Sequence, residues 1–211
     1  GTMKSLITIM FFILFCYGCG TPFNQISSGK LDPNLSKQNV KTASIDSELR
    51  AFLDTKLKAE AGEPLAQTKT ADNYATGRGV LVNFQEAVKW YRKAAEQNEP
   101  RAQYNLGYMY YNSEALPRDY KKAVYWFTKA AKQGNSGAQC NLGLMYENGE
   151  GVEENDKIAV NWFRKAAVQG ESMAQFNMGW MYENGTGVEK NAVKALAWYK
   201  KASFSGHIEA P

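Results

Sequence analysis

The sequence predicts an all-α fold, a right-handed α/α superhelix (solenoid) of 36-residue helix-turn-helix repeats, and three observations point to it. Trp90, Trp126, Trp162 and Trp198 stand at equal steps of 36 residues. Sixteen residues before each Trp is a tyrosine (Tyr74, Tyr110, Tyr146, Tyr182), and eight before each tyrosine is an alanine (Ala66, Ala102, Ala138, Ala174). A fixed period in this range marks a supersecondary unit stacked on its own copies.

The second helix of each unit carries the cleaner signal. Ala123, Trp126, Phe127, Ala130 and Ala131 fall at i, i+3, i+4, i+7 and i+8, one apolar stripe of a helix. Its start carries Asn83, Asp119, Asn155 or Asn191, all able to cap a free backbone N–H. Its end carries Gly134, Gly170 and Gly206, with Asn98 in the first copy, residues that tolerate the left-handed conformation closing a helix. The Trp of each stripe is expected to be core, about 150–250 Å² of buried surface apiece.

The first helix repeats Ala102, Leu106, Met109 and Tyr110 at i, i+4, i+7 and i+8. Gly107, Gly143 and Gly179 recur inside it at a cost of about 1 kcal/mol each relative to alanine. A close approach to the small residues of the second helix is the expected compensation. Gly-x-Gly-Val joins the helices at Gly77–Val80, Gly149–Val152 and Gly185–Val188. The unit is therefore an αα-hairpin, expected over 66–101, 102–137, 138–173 and 174–209.

These residues resemble the Sel-one-like repeat (SLR) family, a branch of the tetratricopeptide-like α-solenoids. The resemblance rests on Ala102-Gln-Tyr-Asn-Leu-Gly-Tyr-Met-Tyr110, Gly149-Glu-Gly-Val152 and Ala123-Val-Tyr-Trp-Phe-Thr-Lys-Ala-Ala131. Two copies depart from it. Repeat 1 has Thr70-Ala71 where Leu-Gly or Met-Gly is usual, and repeat 2 replaces the loop glycines with Ser113 and Ala115. The resemblance implies an adaptor for protein complexes of a bacterial exported type. It also implies rivals: an enzyme-like binder of cell-wall or lactam compounds, or an inner-membrane-anchored signalling regulator.

The ends differ from the repeats. Residues 45–62 read as a degenerate half-repeat capping the stack, since Ala59-Glu-Ala-Gly62 aligns with Ala131-Lys-Gln-Gly134. At the other end Ala210 would open a fifth unit, so the C-terminal edge is expected to be uncapped, with part of the Trp198, Tyr199 and Ala202 stripe facing solvent unless His207 to Pro211 folds back or a second copy of the chain covers it. Gly1-Thr2 look like a cloning remnant ahead of Met3. Residues 3–19 read as a lipoprotein-like signal: a short basic start, the apolar run Leu6 to Phe15, expected to be helical, and then Gly18 before an acylatable Cys19; a plain secretory signal or an N-terminal membrane-associated helix is the alternative. Residues 20–44 are polar and read as a flexible tether. The expected location is the periplasm or the outer membrane of a bacterium, with membrane attachment through the N-terminal lipid or signal segment.

No constellation for catalysis, metal or cofactor is found. His207 is the only histidine, and Cys140 the only cysteine outside the N-terminal segment. Glu147, Glu150, Glu153 and Glu154 read as solvated loop carboxylates. Ser27-Ser-Gly-Lys30 lies in the tether without companion motifs. The formal net charge of +4, with Arg92-Lys93, Arg164-Lys165 and Lys200-Lys201 in a regular register, reads as a solvated outer face and not a nucleic-acid site.

What remains is a surface for a peptide or protein. The concave wall of such stacks comes from first-helix positions off the core stripe, two before, two after and five after the leucine. These are Tyr104, Tyr108 and Tyr111, then Cys140, Leu144 and Glu147, then Phe176, Trp180 and Glu183; repeat 1 contributes Thr68, Asp72 and Ala75. The aromatic excess marks a partner-binding groove formed by Tyr104, Tyr108, Tyr111, Cys140, Leu144, Phe176 and Trp180.

Overall fold

The computed structural model describes residues 33–112 and 116–204, with side chains between residues 46 and 203. Residues 1–40 and 41–211 are separate compact units, and Pro33–Val40, the described part of the first, is helical. Among the described residues the elements are helices throughout: α1 (Pro33–Glu60), α2 (Pro64–Thr76), α3 (Phe84–Glu96), α4 (Pro100–Asn112), α5 (Tyr120–Lys132), α6 (Ser136–Asn148), α7 (Asp156–Val168), α8 (Ser172–Asn184) and α9 (Ala192–Phe204). The pairs α2/α3, α4/α5, α6/α7 and α8/α9 pack as hairpins, and each second helix packs on the first helix of the next pair. Cys19, the run Leu6 to Phe15, Ser113 to Ala115 and His207 lie outside the described residues.

Helix α1 begins well before Ile45, so the last part of the expected tether 20–44 is helical. Proline suits the first turn of a helix, and Lys37, Gln38 and Lys41 carry good helix propensity. Its later part sits where a second helix would. Phe52 and Ala59 are buried, and the Phe52 ring meets Tyr74 edge-on at 5.3 Å.

Helices α2 to α9 are each 13 residues long, and side-chain caps start the second helix of every pair. Asn83, Asp119, Asn155 and Asn191 accept hydrogen bonds from the N–H three residues on, at 2.9–3.1 Å. At the far ends Asn98, Gly134 and Gly170 adopt positive φ. Each hairpin is then locked by an aromatic ring. Phe127 and Phe163 are fully buried, and a Cβ on Gly107, Gly143 or Gly179 would lie 2.8, 2.4 or 2.6 Å from the ring of Phe127, Phe163 or Tyr199. The recurring glycine thus seats the ring that follows the Trp in repeats 2 to 4; the sequence suggests small residues opposite it. The tryptophans are less central than expected. Trp90 is buried, but Trp126, Trp162 and Trp198 are half-buried. A lysine three residues on covers each ring, with Nζ 4.3–5.5 Å from the centroid.

Successive repeats are joined by buried glutamines. Gln67, Gln103, Gln139 and Gln175 each donate Nε2 to the carbonyl eight residues earlier, on Ala59, Ala95, Ala131 and Ala167. The amides of Gln97, Gln133 and Gln169 then donate to Oε1 of Gln67, Gln103 and Gln139, each at 2.8 Å. Ala59 thereby makes the same contact as its repeat counterparts. Repeat 1 has one internal defect, because the Thr70 hydroxyl is buried with no protein partner.

At the C-terminal end the expectation for the stripe holds only in part. Tyr199 and Ala202 are buried, and Trp198 is half-buried. Tyr199 packs on Phe176 with tilted rings 5.3 Å apart, and its hydroxyl donates to Glu183 at 2.7 Å. What faces solvent is the neighbouring face of α9, with Val193 81% and Leu196 47% exposed. Counterparts of Leu196 one, three and four repeats earlier (Val160, Val88, Phe52) are buried. Val193 stands where the other repeats carry Gln85, Lys121 and Lys157.

Candidate functional site

The first helices α2, α4, α6 and α8 present the expected positions to three different environments. The residue two before the leucine meets the following repeat. Thr68 is buried and donates to Glu99 at 2.8 Å. Tyr104 is half-buried, its ring 5.8 Å from Phe127 and close over Gly137 of the next first helix. Burial holds its phenol above the ordinary range. Cys140 is buried in the core of repeats 3 and 4. It therefore does not line an open groove, contrary to the sequence expectation, because the next first helix closes over this register. Only Phe176, on the last first helix among the described residues, is exposed at this position, at 38%.

The residue five after the leucine packs near the connections. Tyr111 is half-buried against Tyr120 at 5.6 Å, and Glu147 and Ala75 are half-buried. Burial, followed by the Asp156 charge, holds the Glu147 carboxyl above the usual carboxylate range.

The residue two after the leucine is the one that opens outward. Tyr108 is 44% and Trp180 40% exposed, with Leu144 half-buried in the same register between them. A recess of about 200 Å³ adjoins Tyr108, lined also by Tyr91, Asn105 and Met109. The seven sequence-selected residues thus reduce to a row, Tyr108, Leu144 and Trp180, flanked by Phe176; Tyr104 and Tyr111 serve chiefly as inter-repeat packing.

At the head of that row stands Asp72. It accepts from Tyr91 Oη at 2.6 Å, Arg101 Nη2 at 2.7 Å and Asn105 Nδ2 at 3.4 Å, joining repeats 1 and 2. Burial and the Asp72 carboxylate together push the Tyr91 phenol far above its ordinary value. A sequence signal for this exists. Where the ring after the Trp keeps a hydroxyl (Tyr91, Tyr199), a first-helix carboxylate (Asp72, Glu183) accepts from it; repeats 2 and 3 have phenylalanine there. A cleft of about 950 Å³ lies on the N-terminal side of Asp72, between α1 and α2.

Chemistry at other residues is limited. Burial first, then Glu171 and Glu147, push the Cys140 thiol up to about 12, so it is not a thiolate at neutral pH. Among the described residues no group of three or more His, Cys, Asp or Glu stands close enough to hold a metal ion. The lysines recurring three residues after each Trp lie over the indole rings. No described helix is long and apolar enough to cross a membrane.

The pattern of the Sel1 repeat matches residues 64–99, 100–135, 136–171 and 172–207. Its units begin two residues before the recurring alanine, close to where the first helices start. Among solved structures, a protective antigen present in uropathogenic Escherichia coli strains, displaying an SLR fold, is 42% identical with a TM-score of 0.72. That match covers 74% of this chain, which spans only 33% of the antigen. A Sel1 repeat protein from Oxalobacter formigenes is 33% identical over 84% of this chain and 77% of its own, also at a TM-score of 0.72. An immunity protein from Pseudomonas aeruginosa is 25% identical over 84% of this chain and 68% of its own, at a TM-score of 0.50. No curated protein matches.

Proposed function

Because the chain belongs to the Sel1 repeat family, whose members mediate protein–protein interaction, we propose that it is a non-catalytic scaffold holding a peptide or protein segment along the open face of its first helices. The observation that carries this reading is the row of Tyr108, Leu144 and Trp180, large apolar side chains left accessible in one register of successive repeats. Aromatic anchors of this kind supply most of the binding energy at protein interfaces. The buried, weakly acidic Cys140 supports the non-catalytic part of the reading.

Tyr108→Ala combined with Trp180→Ala is expected to abolish partner capture while lowering the melting temperature only slightly. Both residues are far enough exposed that truncation removes little core. A thermal melt reads the second half of this claim. A loss of stability as large as that of a fully buried ring would make Trp180 a core residue and remove the anchor.

Two further properties belong to the proposal. The chain is exported and anchored in the bacterial periplasm or outer membrane through Cys19, supported by Gly18-Cys19 after the apolar run Leu6 to Phe15. A second copy covers the C-terminal edge, supported by Val193 at a register that is polar in the other repeats. Native mass spectrometry of protein from the source cells reads both. A lipid adduct on Cys19 and a dimer mass lost in Leu196→Glu are expected. An intact Met3 contradicts the anchor, and a strict monomer at high micromolar concentration contradicts the dimer.

A further inference from the structure

We propose that the N-terminal end of the first-helix face binds an acidic residue of the partner segment, about three positions from a large apolar residue seated beside Tyr108. This rests on the groove reading and specifies the chemistry of its ligand. The cleft of about 950 Å³ and the recess of about 200 Å³ are the same feature one repeat apart: Thr55, Lys69 and Asn73 line the first where Tyr91, Asn105 and Met109 line the second. Thr55 in place of an aromatic ring helps widen the first, and its lining changes from apolar to charged.

Three cations line the cleft, Lys69, Arg78 and Arg101, against two acids, Glu48 and Asp72. Asp72 is already taken up by Arg101, Tyr91 and Asn105. Lys69 and Arg78 are exposed and have no ion-pair partner among the described residues. With Glu48 the sole acid left to oppose them, the cleft keeps a positive excess. An incoming carboxylate completes it. The chain's own residues 3–32 are a poor occupant, since they carry Lys4 and Lys30 against Asp32 alone. Packed helices lie about 8–10 Å apart. An extended segment advances about 3.3 Å per residue, so neighbouring subsites are about three residues apart along it.

The test uses the full chain and two fluorescein-labelled peptides, one of three copies of Glu-Ser-Ser-Leu and the other its Gln-Ser-Ser-Leu twin, followed by fluorescence anisotropy. The glutamate peptide is expected to bind about tenfold or more tighter at low salt. The preference should shrink as salt is added. It should vanish in the Lys69→Gln, Arg78→Gln double variant with the melting temperature unchanged, since both side chains are exposed. Equal binding of the two peptides, no binding by either, or a preference that survives the double variant would overturn the proposal. The groove itself is read separately: glutamine-peptide binding lost in Tyr108→Ala supports it even where the acidic preference is absent.

Discussion

Phe163→Ala is expected to destabilise the stack by about 3–5 kcal/mol, more than any tryptophan truncation in repeats 2 to 4. Phe163 is fully buried, and its ring is seated directly against the Gly143 backbone, so removing it leaves a cavity between two helices that caps hold in place at both ends. Trp162, its neighbour in sequence, keeps part of its ring in solvent under Lys165. Urea denaturation of the two variants side by side distinguishes them. A Trp162→Ala loss equal to or greater than that of Phe163→Ala would mean that the Trp, and not the ring after it, locks each hairpin.

Gly151→Ala is the second large effect, at about 2–4 kcal/mol. Gly151 has φ +73, where an L side chain is strained, and a Cβ there would lie 2.6 Å from the Tyr120 carbonyl carbon and oxygen at the start of α5. Backbone cannot yield as a side chain can. The same contact recurs for Gly79 against Glu48, two repeats earlier, and for Gly187 against Asp156, one repeat later. The connections of repeats 3 and 4 therefore rest on the first turn of the preceding second helix, and the substitution should loosen two repeats together. Hydrogen exchange faster than wild type at both α5 and α6 is the expected signature; exchange raised only at residues 149–152 would restrict the glycine to a local turn.

The stack was legible in the sequence because its helices are bounded by short-range chemistry. Asn83, Asp119 and Asn155 cap as their types require, and Gly134 and Gly170 take the backbone conformation for which glycine is suited. Contacts between repeats were harder to read. The glutamine ladder left a trace in the 36-residue spacing of Gln67, Gln103, Gln139 and Gln175, but its carbonyl partners belong to another helix. Cys140 was misread for the same reason: helix periodicity tells which residues leave the hairpin core, not which the next helix then covers. Exposure at Tyr108 and Trp180 agrees with a position off the stripe, whereas Phe176 is exposed in a register that is buried or half-buried on the other first helices. The charged cleft beside Asp72 had no signal in any single repeat, since it arises from α1, α2 and α4 together.

Whether the first-helix face is the working surface is tested most directly by site-specific photo-crosslinking in the source cells. A benzophenone side chain in place of Tyr108 or Trp180 is expected to trap one and the same partner protein. The same group in place of Lys157, on the exposed side of α7, is expected to trap none. A partner trapped from Lys157 while positions 108 and 180 stay silent would contradict the account and move the interaction to the second helices.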